Sequence, residues 1–324
     1  MSIRSANAMP LATSGKKEYG LEYFLKGALA GGLCCGVTHG AVCPVDVVKT
    51  RMQLDSVKYN KGMIGGFKTV IAEEGVGALA TGLGPTAVGY FIQGWFKFGG
   101  VEFFKIQAVN SLGEQGGWDN RTSIYLGSAA AAETIADVFL CPLEAVRIRL
   151  VSEPTYGGGS LPGAAAALVK ENGIIGGFYS GFIPMLFKQV PYTMAKFVVQ
   201  GKAAEAICTS MSIDQANMSG ATTMGVALSS GVVAGVVAAI ISHPADTLLS
   251  KVNKAGAGGS GGMMSRLSNI AGEIGIVNLC TVGLGARCVM IGTLTAGQFA
   301  IFDSVMGALG ASKYHFHDPS SDKH

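Results

Sequence analysis

An eight-residue motif that occurs three times constrains the fold of this chain more than any other feature. It reads PVDVVKTR at 44–51, PLEAVRIR at 142–149 and PADTLLSK at 244–251. Each copy begins with proline, has an acid two residues later and a base seven residues later, and successive copies start about 100 residues apart. A Glu-x-Gly sequence follows each proline at a fixed distance. The chain is therefore one unit written three times.

The composition places these units in a membrane. Charged residues make up only 14% of the chain and its mean hydropathy is +0.40, whereas soluble domains average roughly 25% charged residues. Three stretches, 27–45, 75–96 and 215–245, contain no charged residue at all. Because roughly 20 mostly apolar residues suffice to cross a bilayer as a helix, these stretches predict transmembrane helices.

Each unit is predicted to hold two membrane spans joined by a short surface helix. The spans are expected at about 21–52, 82–105, 121–150, 180–205, 219–252 and 284–308, and the surface helices at 64–74, 161–172 and 263–274. Linkers are expected near 107–120 and 208–218. Two-span repeats in one orientation are related by rotation about the membrane normal. We therefore expect an all-α membrane protein of three pseudo-threefold repeats around a central cavity, with both termini on one side.

The corresponding division of the chain follows from the repeats. An N-terminal extension occupies 1–20, the units occupy 21–106, 121–206 and 219–308, and a tail occupies 309–324. The extension carries Arg4, Lys16 and Lys17 with several Ser and Ala residues, which is loosely typical of an organelle-directing segment.

The motif residues are candidates for a gate. A proline inside a helix removes a backbone hydrogen bond, and three such prolines at equal depth would draw one end of the cavity closed. Charges at that depth are expensive unless paired, so the acid of one unit is expected to pair with the base of the next in a ring that can break and reform. A static salt bridge at the helix ends is the alternative. Leu249 replaces one base, which leaves at most two strong links. The gate set is Pro44, Asp46, Lys49, Pro142, Glu144, Arg147, Pro244 and Asp246.

Cationic residues inside the predicted spans are candidates for binding a substrate. Lys188 and Arg287 follow the glycine that opens the second span of their units, and Lys97 shares a helix face with Gln93. Clustered cations predict an anionic substrate, to which Arg can donate two hydrogen bonds at once. A lysine that directs its amine to the membrane surface is the alternative, especially for Lys97 and Lys196. This pattern does not separate phosphate from a small dicarboxylate.

A second group of ionisable residues could carry a proton. His39 and Asp137 each lie five residues before a motif proline, and Glu133 lies one helical turn from Asp137. An imidazole titrates near physiological pH, and loss of solvent raises the pKa of a carboxyl group toward the same range. We therefore expect Glu133 and His39, assisted by Asp137, to take up a proton with the anion. A histidine buried as part of the core is the alternative reading of His39.

The tripled motif, with Glu-x-Gly partway between its copies, resembles that of the mitochondrial carrier family over residues 20–308. The resemblance implies six transmembrane helices, three short matrix-side helices and alternating access in the inner mitochondrial membrane. It also implies that the proline motifs form a gate on the matrix side. The cytoplasmic gate of the family survives here only as Glu102 with Lys105, because the later units have Gln200 with Ala203 and Asp303 with Met306.

Within that family, local sequences in all three units are similar to those of its phosphate-transporting members. They are TH at 38–39, AE at 132–133 with Asp137, PYTMAKF at 191–197, SHPAD at 242–246 and RCVMIGTLT at 287–295. The resemblance implies import of inorganic phosphate with a proton, or in exchange for hydroxide. The carrier would act as a monomer in contact with lipid, of which cardiolipin is one candidate.

Other classes of function remain open or are disfavoured at this point. A carrier of another small anion, a passive pore and a structural partner of an energy-converting complex are the alternatives. Copper is conceivable as a second cargo through Cys34 and Cys35, although adjacent residues on a helix point about 100° apart. We expect no enzyme activity, no cofactor, no metal site and no nucleic-acid partner, because the net charge is only +3 and no matching motif occurs.

Overall fold

The computed structural model describes residues 19–54, 57–59, 61–213, 218–252, 263–281 and 283–316. Most of the extension predicted at 1–20 and the end of the tail at 309–324 lie outside these residues. The regular secondary structure of the described residues is helical. The helices are α1 (Leu21–Leu54), α2 (Gly62–Glu74), α3 (Leu83–Asp119), α4 (Arg121–Ser152), α5 (Leu161–Phe178), α6 (Phe182–Ser210), α7 (Gly220–Val252), α8 (Met263–Ile274), α9 (Ile276–Thr281) and α10 (Leu284–Ala308).

Six long helices form a closed ring. Each packs against the next along the chain, in the order α1, α3, α4, α6, α7 and α10, and α10 returns to pack against α1. Each of the three units contributes two neighbouring helices to this ring. The predicted all-α architecture of three two-helix repeats around a central cavity is confirmed.

Four helices in the described part of the chain are long and apolar enough to cross a membrane by length and composition alone. They are Leu21–Met52, Arg121–Ser152, Gly220–Leu248 and Arg287–Ala308. The bent pair Gly62–Glu74 and Val76–Asp119, which meet at 118°, would add a fifth span if counted as one. Helix α6 is not among the four, because the cavity-lining cations Lys188 and Lys196 lower its mean hydropathy.

The first predicted linker, 107–120, is helical in the structure over most of its length. Residues 107–120 continue α3 as helix to Asp119, with a single break at Gly113, whose φ is 76°. The second predicted linker, 208–218, begins as the last turn of α6, which ends at Ser210. The polar composition of 107–119 therefore marks a helix that continues past the predicted end of the span.

The glycine of each Glu-x-Gly sequence ends a helical segment with a positive φ. Gly75, Gly173 and Gly275 have φ values of 84°, 70° and 78°. Residues with a Cβ rarely adopt these values. The three glycines separate the surface helices α2, α5 (first part) and α8 from the short turns that lead into α3, α6 and α10. This shared geometry explains why the repeat keeps glycine at this position.

The base at the end of the motif ties the surface helix to the long helix before it. Arg51 forms an ion pair with Glu74 of α2. Arg149 lies 3.6 Å from Glu171 of α5. The third copy ends at Lys251, whose side chain lies outside the described residues. The motif thus positions the surface helices as well as the helix ends.

Close packing of α1 on α3 depends on two facing glycines. A Cβ placed on Gly31 would lie 2.3 Å from the carbonyl oxygen of Gly94, and one placed on Gly94 would lie 2.1 Å from the carbonyl oxygen of Gly31. The backbones therefore touch at this point, as small residues permit in membrane helices.

We predict that Gly31→Ala lowers the stability of the purified protein by about 1–3 kcal/mol, because the added methyl group overpacks the α1–α3 contact. Thermal unfolding in detergent measures the effect. The matched control is Gly27→Ala, one turn earlier in α1, where an added Cβ meets no atom within 4 Å. Equal melting temperatures for the two variants would contradict the prediction.

Candidate functional site

A carboxylate at the centre of the ring is held by three neighbouring side chains. Glu133 of α4 is fully buried. Its Oε2 atom lies 2.9 Å from Lys97 Nζ and accepts a hydrogen bond of 2.8 Å from the Thr193 hydroxyl. Its Oε1 atom accepts a hydrogen bond of 2.8 Å from Gln93 Nε2. The α3, α4 and α6 helices therefore meet at this group.

Asp137 lies one turn along α4 from Glu133 and shares a donor with it. Gln93 Nε2 lies 3.4 Å from Asp137 Oδ1. Within the described residues, Asp137 Oδ2 and Gln93 Oε1 have no hydrogen-bond partner although both atoms are buried. A protonated carboxyl at Asp137 could donate a hydrogen bond here, whereas two ionised carboxylates that share one donor repel each other.

A second polar chain lies on another side of the cavity. Lys196 Nζ donates a hydrogen bond of 2.9 Å to Gln298 Oε1, and Gln298 Nε2 lies 3.4 Å from His39 Nδ1. His39 Nδ1 also lies 3.0 Å from the Cys35 carbonyl oxygen, so its tautomer decides which contact forms. The His39 ring stacks on Tyr90 at a centroid distance of 3.6 Å.

Lys196 is enclosed by aromatic rings. Its Nζ lies between 4.9 and 5.7 Å from the ring centroids of Phe98, Tyr192, Phe197 and Phe299. Cation–π contacts of this kind stabilise an ammonium that has lost its water. The amine is therefore directed into the protein, and the membrane-surface alternative is wrong for Lys196. It is also wrong for Lys97, which is 3% exposed.

These groups line or adjoin a central cavity of about 120 Å³. Five cations and two acids face it, together with Gln93, Gln298 and His39. The cations are Lys49, Lys97, Lys188, Lys196 and Arg287, and the acids are Asp46 and Asp246. The excess of positive charge favours an anion in the cavity.

Ion pairs connect the motif residues at one end of the ring, here called the motif end. Arg147 lies 3.4 Å from Asp46 of the preceding unit and 2.8 Å from Glu144 of its own helix. Asp246 pairs with Arg287 and lies 3.5 Å from Lys188. The Asp46–Arg147 contact joins two units. Asp246 is held by two of the three cations predicted to bind substrate, Lys188 of the preceding unit and Arg287 of its own.

The remaining motif positions do not extend this pairing. Pro44, Pro142 and Pro244 lie inside α1, α4 and α7. Lys49 lines the cavity and takes part in none of the ion pairs formed by the described residues. The side chain of Leu249 lies outside the described residues.

The opposite end, here called the tail end, contains the other predicted pair. Glu102 and Lys105 lie 2.5 Å apart and are both buried. Between this pair and the cavity, Phe98, Phe197 and Phe299 pack edge to face at centroid distances of 5.0–5.7 Å. These rings come from α3, α6 and α10 and fill the axis of the ring at this level.

The structure divides the predicted substrate set into two groups. Gln93 and Lys97 lie with Glu133, whereas Lys188 and Arg287 lie with Asp246 at the motif end. Thr193, Gln298 and Ser242 were not predicted from the sequence. Thr193 donates a hydrogen bond to Glu133, Gln298 accepts one from Lys196, and Ser242 accepts one from Arg287. All three are neutral, so the search for charges inside the spans could not find them.

Comparisons with known proteins agree with this architecture. The family described as Mitochondrial carrier protein matches residues 21–111 and 119–210. A Dictyostelium discoideum protein named mitochondrial substrate carrier family protein N is 47% identical over 89% of this chain and 95% of its own length. The mitochondrial phosphate carrier protein of Caenorhabditis elegans is 41% identical over 95% of this chain and 88% of its own. A probable mitochondrial phosphate carrier protein of Schizosaccharomyces pombe is 40% identical over 88% of this chain and 91% of its own.

We predict that Lys97→Met destabilises the protein by about 3–5 kcal/mol, because it leaves the Glu133 carboxylate buried without its charge partner. The double variant Lys97→Met/Glu133→Gln should recover most of that loss, since no buried charge is left behind. Thermal unfolding in detergent compares these variants with Lys202→Met, an exposed lysine on α6. A Lys97→Met protein as stable as the Lys202→Met control would show that the pair is not the stabilising contact.

Proposed function

We propose that this chain, which belongs to the mitochondrial carrier family of multi-pass transport proteins in the inner mitochondrial membrane, imports inorganic phosphate together with a proton. Exchange of phosphate for hydroxide is the equivalent reaction. The proposed mechanism is alternating access, with the motif end facing the matrix and the tail end facing the cytoplasmic side. The relatives named phosphate carriers and the cationic cavity support this choice of substrate.

The contact that carries the proposal is the ion pair between Lys97 and Glu133. When Glu133 is ionised, its carboxylate pairs with the Lys97 ammonium, which an incoming anion would otherwise bind. Protonation of Glu133 removes this competition, and the released Lys97 can bind the anion. Phosphate and proton are then bound together because neither binds well alone. The complex of dihydrogen phosphate with one proton is neutral overall, which lowers the penalty for carrying it through the membrane.

Asp137 and His39 have supporting roles in this proposal. Asp137 shares the Gln93 amide with Glu133, so a proton can be redistributed between the two carboxyl groups. His39 is connected through Gln298 to Lys196, on the other side of the cavity. Protonation of His39 would therefore change the hydrogen bonding around Lys196 rather than the ion pair between Lys97 and Glu133.

The motif end would supply the second set of anion ligands. Lys188 and Arg287 share Asp246, and Arg287 also donates a hydrogen bond of 2.9 Å to the Ser242 hydroxyl. Phosphate could replace Asp246 as their partner during release to the matrix. In this interpretation Asp46, Glu144, Arg147 and Asp246 hold the matrix gate through pairs that rearrange as the anion passes.

The packing of the axis favours a carrier over a passive pore or a purely structural partner. The rings of Phe98, Phe197 and Phe299 fill the path between the cavity and the tail end. A pore requires a continuous aqueous path, whereas a carrier requires one closed end in each state. A structural partner has no use for a buried Glu133–Lys97 pair beside a cationic cavity. A small dicarboxylate remains the substrate against which phosphate is tested.

We predict that reconstituted protein takes up labelled phosphate faster when the outside of the vesicle is more acidic than the inside. Glu133→Gln should lower this gradient-driven uptake by about tenfold or more, because a positioned acid–base group is lost. Exchange of phosphate for phosphate should be less affected, since it does not require the proton to leave. Glu153→Gln, at an exposed position directly after α4, is the matched control.

Three results would contradict the proposal in different ways. Wild-type uptake that ignores the pH gradient would rule out proton coupling. A Glu133→Gln variant that follows the gradient like wild type would assign the coupling to another group. Faster exchange with a dicarboxylate than with phosphate would change the substrate.

A further inference from the structure

A short segment after α10 lies across the tail end of the ring. Residues 311–316, here called the strap, have no regular secondary structure. The Tyr314 N–H donates a hydrogen bond of 2.7 Å to Glu102 Oε2, and Lys105 Nζ donates one of 3.3 Å to the Tyr314 carbonyl oxygen. Both members of the predicted cytoplasmic pair are therefore bound by one residue of the strap.

The strap also supplies a charge that the repeat lacks. Lys313 Nζ lies 3.0 Å from Asp303 Oδ2, and the two side chains are 14% and 6% exposed. Asp303 is the acid of the third unit, and the residue three positions later, where the first unit has Lys105, is the uncharged Met306. Lys313 thus pairs with an acid that would otherwise be buried alone.

Aromatic contacts hold the strap at both of its flanks. The Phe316 ring lies 5.1 Å from the ring of Tyr125, and the Tyr314 ring lies 5.5 Å from that of Tyr19. The Tyr23 hydroxyl donates a hydrogen bond of 2.7 Å to the same Glu102 oxygen that Tyr314 contacts. Burial and nearby charges raise the pKa of Tyr314 to about 12, so its phenol stays neutral beside Glu102.

We propose that the strap is a working part of the cytoplasmic gate, in which Lys313 replaces the base missing at Met306 and Tyr314 joins Glu102 to Lys105. This proposal rests on the alternating access proposed above. For the tail end to open, the strap must leave Glu102, Lys105 and Asp303. The strap contacts therefore stabilise the state in which the cytoplasmic side is closed.

This role makes a specific prediction for the apparent affinity on the cytoplasmic side. The apparent dissociation constant of a ligand equals the intrinsic constant divided by the fraction of protein in the binding-competent state. Loss of the Lys313–Asp303 pair would raise the fraction that is open to the cytoplasmic side. The KM for external phosphate should therefore fall, whereas general structural damage would lower the maximal rate and leave KM unchanged.

The test compares Lys313→Met, Asp303→Asn and the exchanged pair Asp303→Lys/Lys313→Asp. Phosphate uptake is measured in isolated mitochondria that express each variant in place of their own carrier, so that only the cytoplasmic side is exposed to substrate. We expect each single variant to lower KM by about fivefold, a typical size for coupling between a contact and a binding equilibrium. The exchanged pair should return KM toward the wild-type value, and Lys202→Met should leave it unchanged.

A second measurement does not depend on transport. Trypsin cleaves after Lys313 only when the strap leaves its site, so mass spectrometry of timed digests reports its release. Asp303→Asn should be cut about fivefold faster than wild type, and the exposed control Glu153→Gln, which lies directly after α4, should be cut at the wild-type rate.

The two measurements separate the failure of each proposal. Unchanged KM values or equal cleavage rates for Asp303→Asn and Glu153→Gln would overturn the role of the strap. Faster cleavage of Asp303→Asn in a protein that takes up no phosphate would instead support a releasable strap and overturn the proposed substrate.

Discussion

The burial of Glu133 is the constraint on which the chemistry of the cavity depends. A carboxylate at the centre of a membrane protein is expensive unless charge and hydrogen bonds compensate for it. Lys97, Gln93 and Thr193 provide that compensation from α3 and α6. The same group therefore connects three helices and pairs with a cation that lines the cavity. In the proposed mechanism, the Lys97–Glu133 contact therefore contributes to both stability and transport.

Much of the fold could be predicted from the sequence because the threefold repeat fixes equivalent positions. The repeated glycines Gly75, Gly173 and Gly275 share a positive φ that few other residues adopt, so one sequence pattern specified three turns. The helical continuation of α3 to Asp119 could not be predicted in this way. Its charged and polar residues are typical of a linker, and only the structure shows that they continue a helix.

The site could be predicted only where its members carry charge. Glu133 and Lys97 were selected because ionisable residues inside a span are rare, but their direct contact depends on the packing of α3 against α4. The placement of Lys188 and Arg287 on Asp246 was also not predictable, since the repeat pattern assigned Asp246 to a base of the neighbouring unit. Neutral donors such as Thr193 and Gln298 give no signal in the sequence. Their roles follow from the distances that the fold creates.

The two ends of the ring keep their acids paired by different means. At the motif end, Asp46 pairs with Arg147 of the next unit, while Asp246 pairs with Lys188 of the preceding unit and with Arg287 of its own. At the tail end, Lys313 from outside the repeat pairs with Asp303. Only at the tail end does a cation from outside the repeat replace a base that the repeat has lost, since Met306 stands where the first unit has Lys105. The two gates proposed above can therefore differ in strength, because the contacts that would have to break are not related by the threefold pattern.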